Sequence, residues 1–85
     1  MLVEDNEINI EITRNILIHK NFMVDIAENG KAGVEQFLKH EPGYYDVILM
    51  DIRMPVMDGL AATRCIRESD HADSKTVPIV AMTAN

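Results

Sequence analysis

The chain has 85 residues and a mass of 9.6 kDa, room for one domain with a small core. A hydrophobic content of 47% excludes a disordered tail. With 8 Lys and Arg against 14 Asp and Glu, the net charge of −6 opposes direct nucleic-acid binding, which needs a basic face. The single cysteine excludes an internal disulfide and fits a reducing, cytoplasmic compartment. No apolar run approaches the roughly 18 residues of a membrane span, and no signal-peptide pattern starts at Met1, so no membrane contact is expected.

Met1-Leu2-Val3 reads as the end of a buried strand that runs into the polar Glu4-Asp5-Asn6, where Asp5 or Asn6 can cap a helix. Glu7 to Lys20 has helical spacing. Ile8, Ile12 and Ile16 recur every four residues, and Ile10 and Leu17 widen the apolar surface, so cover on more than one side is expected. Phe22, Val24 and Ile26 alternate and predict a strand over 22–27, ended by Asn29-Gly30. Lys31 to His40 is a second helix, with Val34, Phe37 and Leu38 on one face.

Pro42-Gly43 marks a loop. Val47-Ile48-Leu49-Met50 has no polar alternation, as a strand covered on both faces requires, and it ends at Asp51. Pro55, Asp58 and Gly59 punctuate the next loop, and Asp58 caps a third helix over Leu60 to Glu68. A polar loop over Ser69 to Thr76 leads to a fourth strand, Val77 to Met82, with Pro78 near its start, where proline is tolerated. The order β-α-β-α-β-α-β implies right-handed crossovers and a parallel sheet with helices on both faces.

Ligands of open α/β sheets bind at the carboxyl ends of the strands. There the sequence places Glu4 and Asp5, Asp51, and Thr83. Asp46 starts its strand and lies about 16 Å from Asp51, at about 3.3 Å per residue. Three converging carboxylates repel, by roughly 4 kcal/mol per pair at about 4 Å and an effective dielectric of 20. Such a cluster takes up protons or binds a cation, and oxygen ligands favour Mg²⁺. A free carboxylate beside the ion can attack phosphorus and form an acyl phosphate.

Asp51-Ile52-Arg53-Met54-Pro55-Val56-Met57-Asp58-Gly59 resembles the phosphorylation loop of response regulator receiver domains. Glu4-Asp5-Asn6 resembles their acidic pair, and Met82-Thr83-Ala84-Asn85 their switch threonine segment. Glu4-Asp5-Asn6-Glu7-Ile8-Asn9 is similar to receivers attached to hybrid sensor histidine kinases. The resemblance implies a flavodoxin-like α/β fold over 1–85 with strand order 2-1-3-4. It implies that Asp51 accepts a phosphoryl group from the phosphohistidine of a histidine kinase or phosphotransfer protein. It further implies that Asp5, Asp51 and the Arg53 backbone carbonyl bind Mg²⁺, with Glu4 acting through water. Thr83 and the Ala84 amide would hold the phosphoryl oxygens, and catalysis would be limited to the domain's own phosphorylation and slow dephosphorylation.

The family also has a fifth strand that ends in a phosphoryl-binding lysine, and two more helices. None of Lys20, Lys31, Lys39 or Lys75 follows such a strand, so the reading is of a domain truncated after the fourth strand. The apolar edge over Val77 to Met82 would then pair with a second copy. Two other functions compete: a phospho-independent scaffold, and a phosphohydrolase. The second is disfavoured because Arg53 stands where such enzymes carry a second acid.

Several of these residues also have ordinary structural readings. Asp51, Glu4 and Asp5 fit helix caps or loop acids, and Thr83 fits a strand end. Cys65 reads as packing, Met54 and Met57 as gap fillers, and His19, His40 and His71 as solvated. Tyr44 and Tyr45 are left between covering the sheet and meeting a partner.

Overall fold

The computed structural model describes residues 1–82. Its elements are β1 (Leu2–Val3), α1 (Glu7–His19), β2 (Ile26–Ala27), α2 (Gly30–Lys39), β3 (Ile48–Asp51), α3 (Gly59–Glu68) and β4 (Ile79–Met82). All strands pair in parallel, in the order β2-β1-β3-β4 that was expected. Each helix starts on a side-chain cap. Asn6, Asn29 and Asp58 accept from the N–H groups of Asn9, Ala32 and Ala61 at 3.0, 2.8 and 2.8 Å.

The main core lies on the α2–α3 side of the sheet. Val3, Ile48 and Met50 point into it and meet Phe37, Ala62, Ile66 and Val77. Leu2 and Leu49 point the other way by strand alternation, and Leu17 of α1 lies beside Leu49. Gly33 lets α2 settle on Val3, since a Cβ there would crowd both Val3 methyl groups.

Phe22 to Val24 is not strand. Asn21 adopts φ 67°, and the Asn21 and Phe22 N–H groups donate to the Ile18 and Leu17 carbonyls at 2.9 and 3.0 Å. This Schellman closure of α1 takes Phe22 out of the sheet. β4 starts at Ile79 rather than Val77, because the Val77 N–H donates to the Asp73 carbonyl and Pro78 has no N–H.

The stripe of α1 also differs from expectation. Ile8, Ile12 and Ile16 are 68, 55 and 52% exposed, and only Ile10 is buried. At 100° per residue, Ile10, Thr13 and Leu17 share the sheet-facing side, and the isoleucine stripe lies nearly opposite. Cys65 is exposed rather than packed, because Ala62 and Ile66 take the buried face of α3. His71 is not solvated either. Its ring lies 4.3 Å from that of Phe37, and its Nε2 lies 2.8 Å from the His40 carbonyl oxygen.

The Tyr45 hydroxyl donates to Asp25 at 2.9 Å, and burial followed by Asp25 pushes its pKa well up. Tyr44 stays exposed and stacks on His40 at 3.7 Å. β4 is an outer strand of the described sheet, with Val80 exposed.

Gly59 is the tightest contact between the fold and the strand ends. A Cβ there would collide with the Asp51 carbonyl and the Ile52 backbone. Gly59→Ala should therefore destabilise by about 2 kcal/mol or more, although alanine is the better helix former. Urea unfolding measures this, and an unchanged or higher midpoint would show that the backbone yields.

Candidate phosphoacceptor and metal site

The register of β1 on β3 builds the site. Val3 lies opposite Met50, so the next residues, Glu4 just past β1 and Asp51 at the end of β3, come side by side. The Glu4 N–H also donates to the Ala27 carbonyl of β2 at 3.0 Å, which holds the exit of β1 in line. Asp5 follows in the loop before α1. Oxygen atoms of Glu4, Asp5 and Asp51 all come within 4.8 Å of one another. Glu4 and Asp51 are each only 4% exposed, whereas Asp5 is open to solvent. The convergence expected from strand order is therefore present.

Local backbone donors orient the acids. Glu4 Oε2 accepts from the Asp5 and Asn6 N–H groups at 3.1 and 3.3 Å. Asp51 Oδ1 accepts from the Arg53 N–H at 3.1 Å. Burial pushes the Glu4 carboxyl up from 4.5 to about 7. A hydrogen bond with Asp51 and the charge of that acid act in the same direction, while the Asn6 N–H opposes them.

This is the electrostatic tension that the clustered acids imply. Acid oxygens with no basic side chain bonded to them among the described residues suit a hard cation, and the donor set fits Mg²⁺ in its chemistry. The Arg53 side chain is exposed, and its N–H is the part seen at the site. That donor was missed in the sequence, although an Asp that accepts from the second residue after it is an ordinary turn signal. Thr83 and Ala84 lie outside the described residues. Asp46 is exposed and lies two residues before β3 rather than at its start, at the end of the strand away from Asp51.

The family model of the response regulator receiver domain matches residues 1–85. Curated relatives include hybrid signal transduction histidine kinase M of Dictyostelium discoideum, 41% identical over 87 residues. The aerobic respiration control sensor protein ArcB of Escherichia coli is 40% identical over 85 residues. Both alignments take in 100% of this chain but only 4% and 10% of those proteins.

Among solved structures, the receiver domain of sensor histidine kinase PA1611 from Pseudomonas aeruginosa has a TM-score of 0.87 and 39% identity. The match covers 99% of this chain and 65% of that one, which was solved with a magnesium ion coordinated in its active site cleft. Fold and strand-end acids thus define a receiver-type α/β signalling module. The chain belongs to the response regulator receiver domain family.

The raised pKa of Glu4 has a definite sign in the linkage. A carboxyl that holds its proton more tightly when folded adds stability below about 4.5 and loses that contribution as pH rises through about 7. Without divalent cations, stability should fall across that window, and Glu4→Gln should flatten this part of the profile. Urea midpoints of both proteins in chelator, from pH 5 to pH 8, measure it. Parallel profiles would mean that Glu4 is not held protonated.

Proposed function

We propose that the protein is a phosphoacceptor module of a two-component phosphorelay, with Asp51 as the acceptor. The observation that carries this is the packing of Asp51 against Glu4 and Asp5 within 4.8 Å at adjacent strand ends. Relatives named as hybrid histidine kinases and a neighbour with bound magnesium support it. The donor is a histidine kinase or phosphotransfer protein that carries phosphohistidine.

In the transfer, an Asp51 carboxylate oxygen forms a bond to phosphorus as the P–N bond of phosphohistidine breaks. The electron pair of that bond leaves with the imidazole, and an acyl phosphate remains on Asp51. Asp5, Asp51 and the Arg53 carbonyl would hold Mg²⁺, and Glu4 would act through water. When bound, the ion neutralises charge on the phosphoryl oxygens.

The chain's own groups do the rest. The Arg53 N–H fixes the rotamer of Asp51 through one oxygen, and burial keeps bulk water from the carboxylate. Thr83 would hydrogen-bond the phosphoryl group and so report its presence, and the Ala84 amide would help to hold the phosphoryl oxygens. Water later attacks phosphorus, which releases phosphate and restores Asp51. No other turnover is assigned to the module. No helix among the described residues is long and apolar enough to cross a membrane.

Acetyl phosphate with Mg²⁺ tests the acceptor. Label should appear on the wild-type protein and on Asp46→Asn, and should vanish in Asp51→Asn. Equal labelling of wild type and Asp51→Asn would remove the assignment.

A further inference from the structure

A groove of about 600 Å³ lies between the first half of α1 and the start of α2, across the outer strand β2. That size falls within the range of ligand pockets, about 300–1,000 Å³. Buried Ile10 and half-buried Ile26 and Ala32 supply its apolar part. Exposed Glu7, Glu11 and Glu28 supply its charge, against Arg14 as the one base in the lining. None of Glu4, Asp5 and Asp51 lines it, so it stands apart from the acceptor reading of Asp51.

The acids face the groove from two walls. Glu7 and Glu11 are four residues apart on α1, where like charges are neighbours and work against the helix. Glu28 follows β2 and brings a third carboxylate from the other side. No ion pair among the described residues neutralises the three. Arg14 lies about 10 Å along the helix from Glu7, at 1.5 Å per residue, and so bounds one end.

The strand edge in the groove is already closed. The Ile26 carbonyl accepts from Gln36 Nε2 at 3.0 Å. The Asp25 and Ala27 carbonyls accept from the Leu2 and Glu4 N–H groups of β1 at 2.8 and 3.0 Å. A strand added along β2 would therefore find these three acceptors taken, and recognition falls to side chains. An apolar floor between carboxylate walls complements arginine. Its aliphatic stem covers apolar surface while its planar head reaches a carboxylate with paired donors.

We infer that this groove docks an extended, arginine-rich segment of a partner protein. Guanidinium groups meet Glu7, Glu11 and Glu28, and the stems lie over Ile10, Ile26 and Ala32. The net charge of −6 attracts such a segment from a distance. A linear polyamine matches the groove less well, because it has no side branches to reach both walls at once.

A blocked five-residue peptide of alternating arginine and serine is the probe, titrated in chelator at low salt and followed through backbone amide NMR signals. Signals of residues 7–14 and 26–36 should move, and those of residues 4, 5 and 51–53 should stay. Glu11→Gln with Glu28→Gln should weaken binding roughly three- to twentyfold. Glu7 also favours the start of α1 and is left intact. Glu41→Gln with Glu68→Gln removes the same charge from exposed positions outside the groove, and should stay within about twofold of wild type. The same peptide with glutamine for arginine should not bind.

Equal weakening in the two double variants would overturn the groove in favour of net charge. Shifts centred on Glu4, Asp5 and Asp51, or no binding to wild type, would overturn it as well. Spermidine that binds as tightly and moves the same signals would replace the peptide with a diffuse cation. The shift map on wild type decides the location even if a variant folds poorly.

Discussion

The parallel register of β1 on β3 is the constraint on which the site depends. It matches Val3 with Met50, and so forces the residues that follow, Glu4 and Asp51, into one place. Register in a buried sheet is strongly specified, because a slip of one residue would turn every core side chain outward. Val3, Ile48 and Met50 are each at most 1% exposed, so such a slip would be severe. The core thus holds two acids together against their repulsion. Burial, with the hydrogen bond to Asp51 and that repulsion behind it, raises the Glu4 pKa and makes a proton or a cation the natural counterpart.

Close backbone approaches carry the arrangement outward from the sheet. Gly59 lets α3 begin directly against the Asp51 and Ile52 backbone, and Gly30 lets α2 begin against Met57. A side chain at either position would push a helix away from the loop that carries Arg53 to Met57. The N-terminal caps Asn29 and Asp58 sit one residue before these glycines. Each helix start is therefore fixed by a capping side chain and by the absence of a Cβ on the next residue.

Much of this was legible in the chain, for physical reasons that differ by element. The run Val47 to Met50 and the acids after Val3 and Met50 were readable, because strand burial and strand-end position follow from local pattern. The orientation of α1 was not. Both Ile8-Ile12-Ile16 and Ile10-Leu17 satisfy helical spacing, and only burial in the fold, with Ile10 covered and Ile8, Ile12 and Ile16 exposed, separates them. Phe22 belongs to alternating residues yet is consumed by the closure of α1, which depends on Asn21 accepting positive φ. His71 was read as solvated because its partners, Phe37 and His40, lie more than thirty residues away in the chain. The positive φ of Val56, 71°, had no signal, since valine argues against it.

The two ends of the sheet are built on opposite terms. At the amino end of β3, polar groups are satisfied in pairs. The Asp73 N–H donates to His71 Nδ1 at 3.0 Å, which leaves Nε2 as the donor to the His40 carbonyl. Asp73 Oδ2 accepts from the Gly43 N–H at 2.7 Å, and Tyr45 is bonded to Asp25. At the carboxyl end, like charges converge and a valine is held at positive φ. Local rules are broken at that end alone among these features, and strain of this kind survives only where the surroundings over-determine it. The buried register, the glycine contacts and the paired polar groups at the amino end supply that surplus. An unfavourable carboxyl end can therefore respond to a cation or a phosphoryl group while the rest of the fold stays as it is.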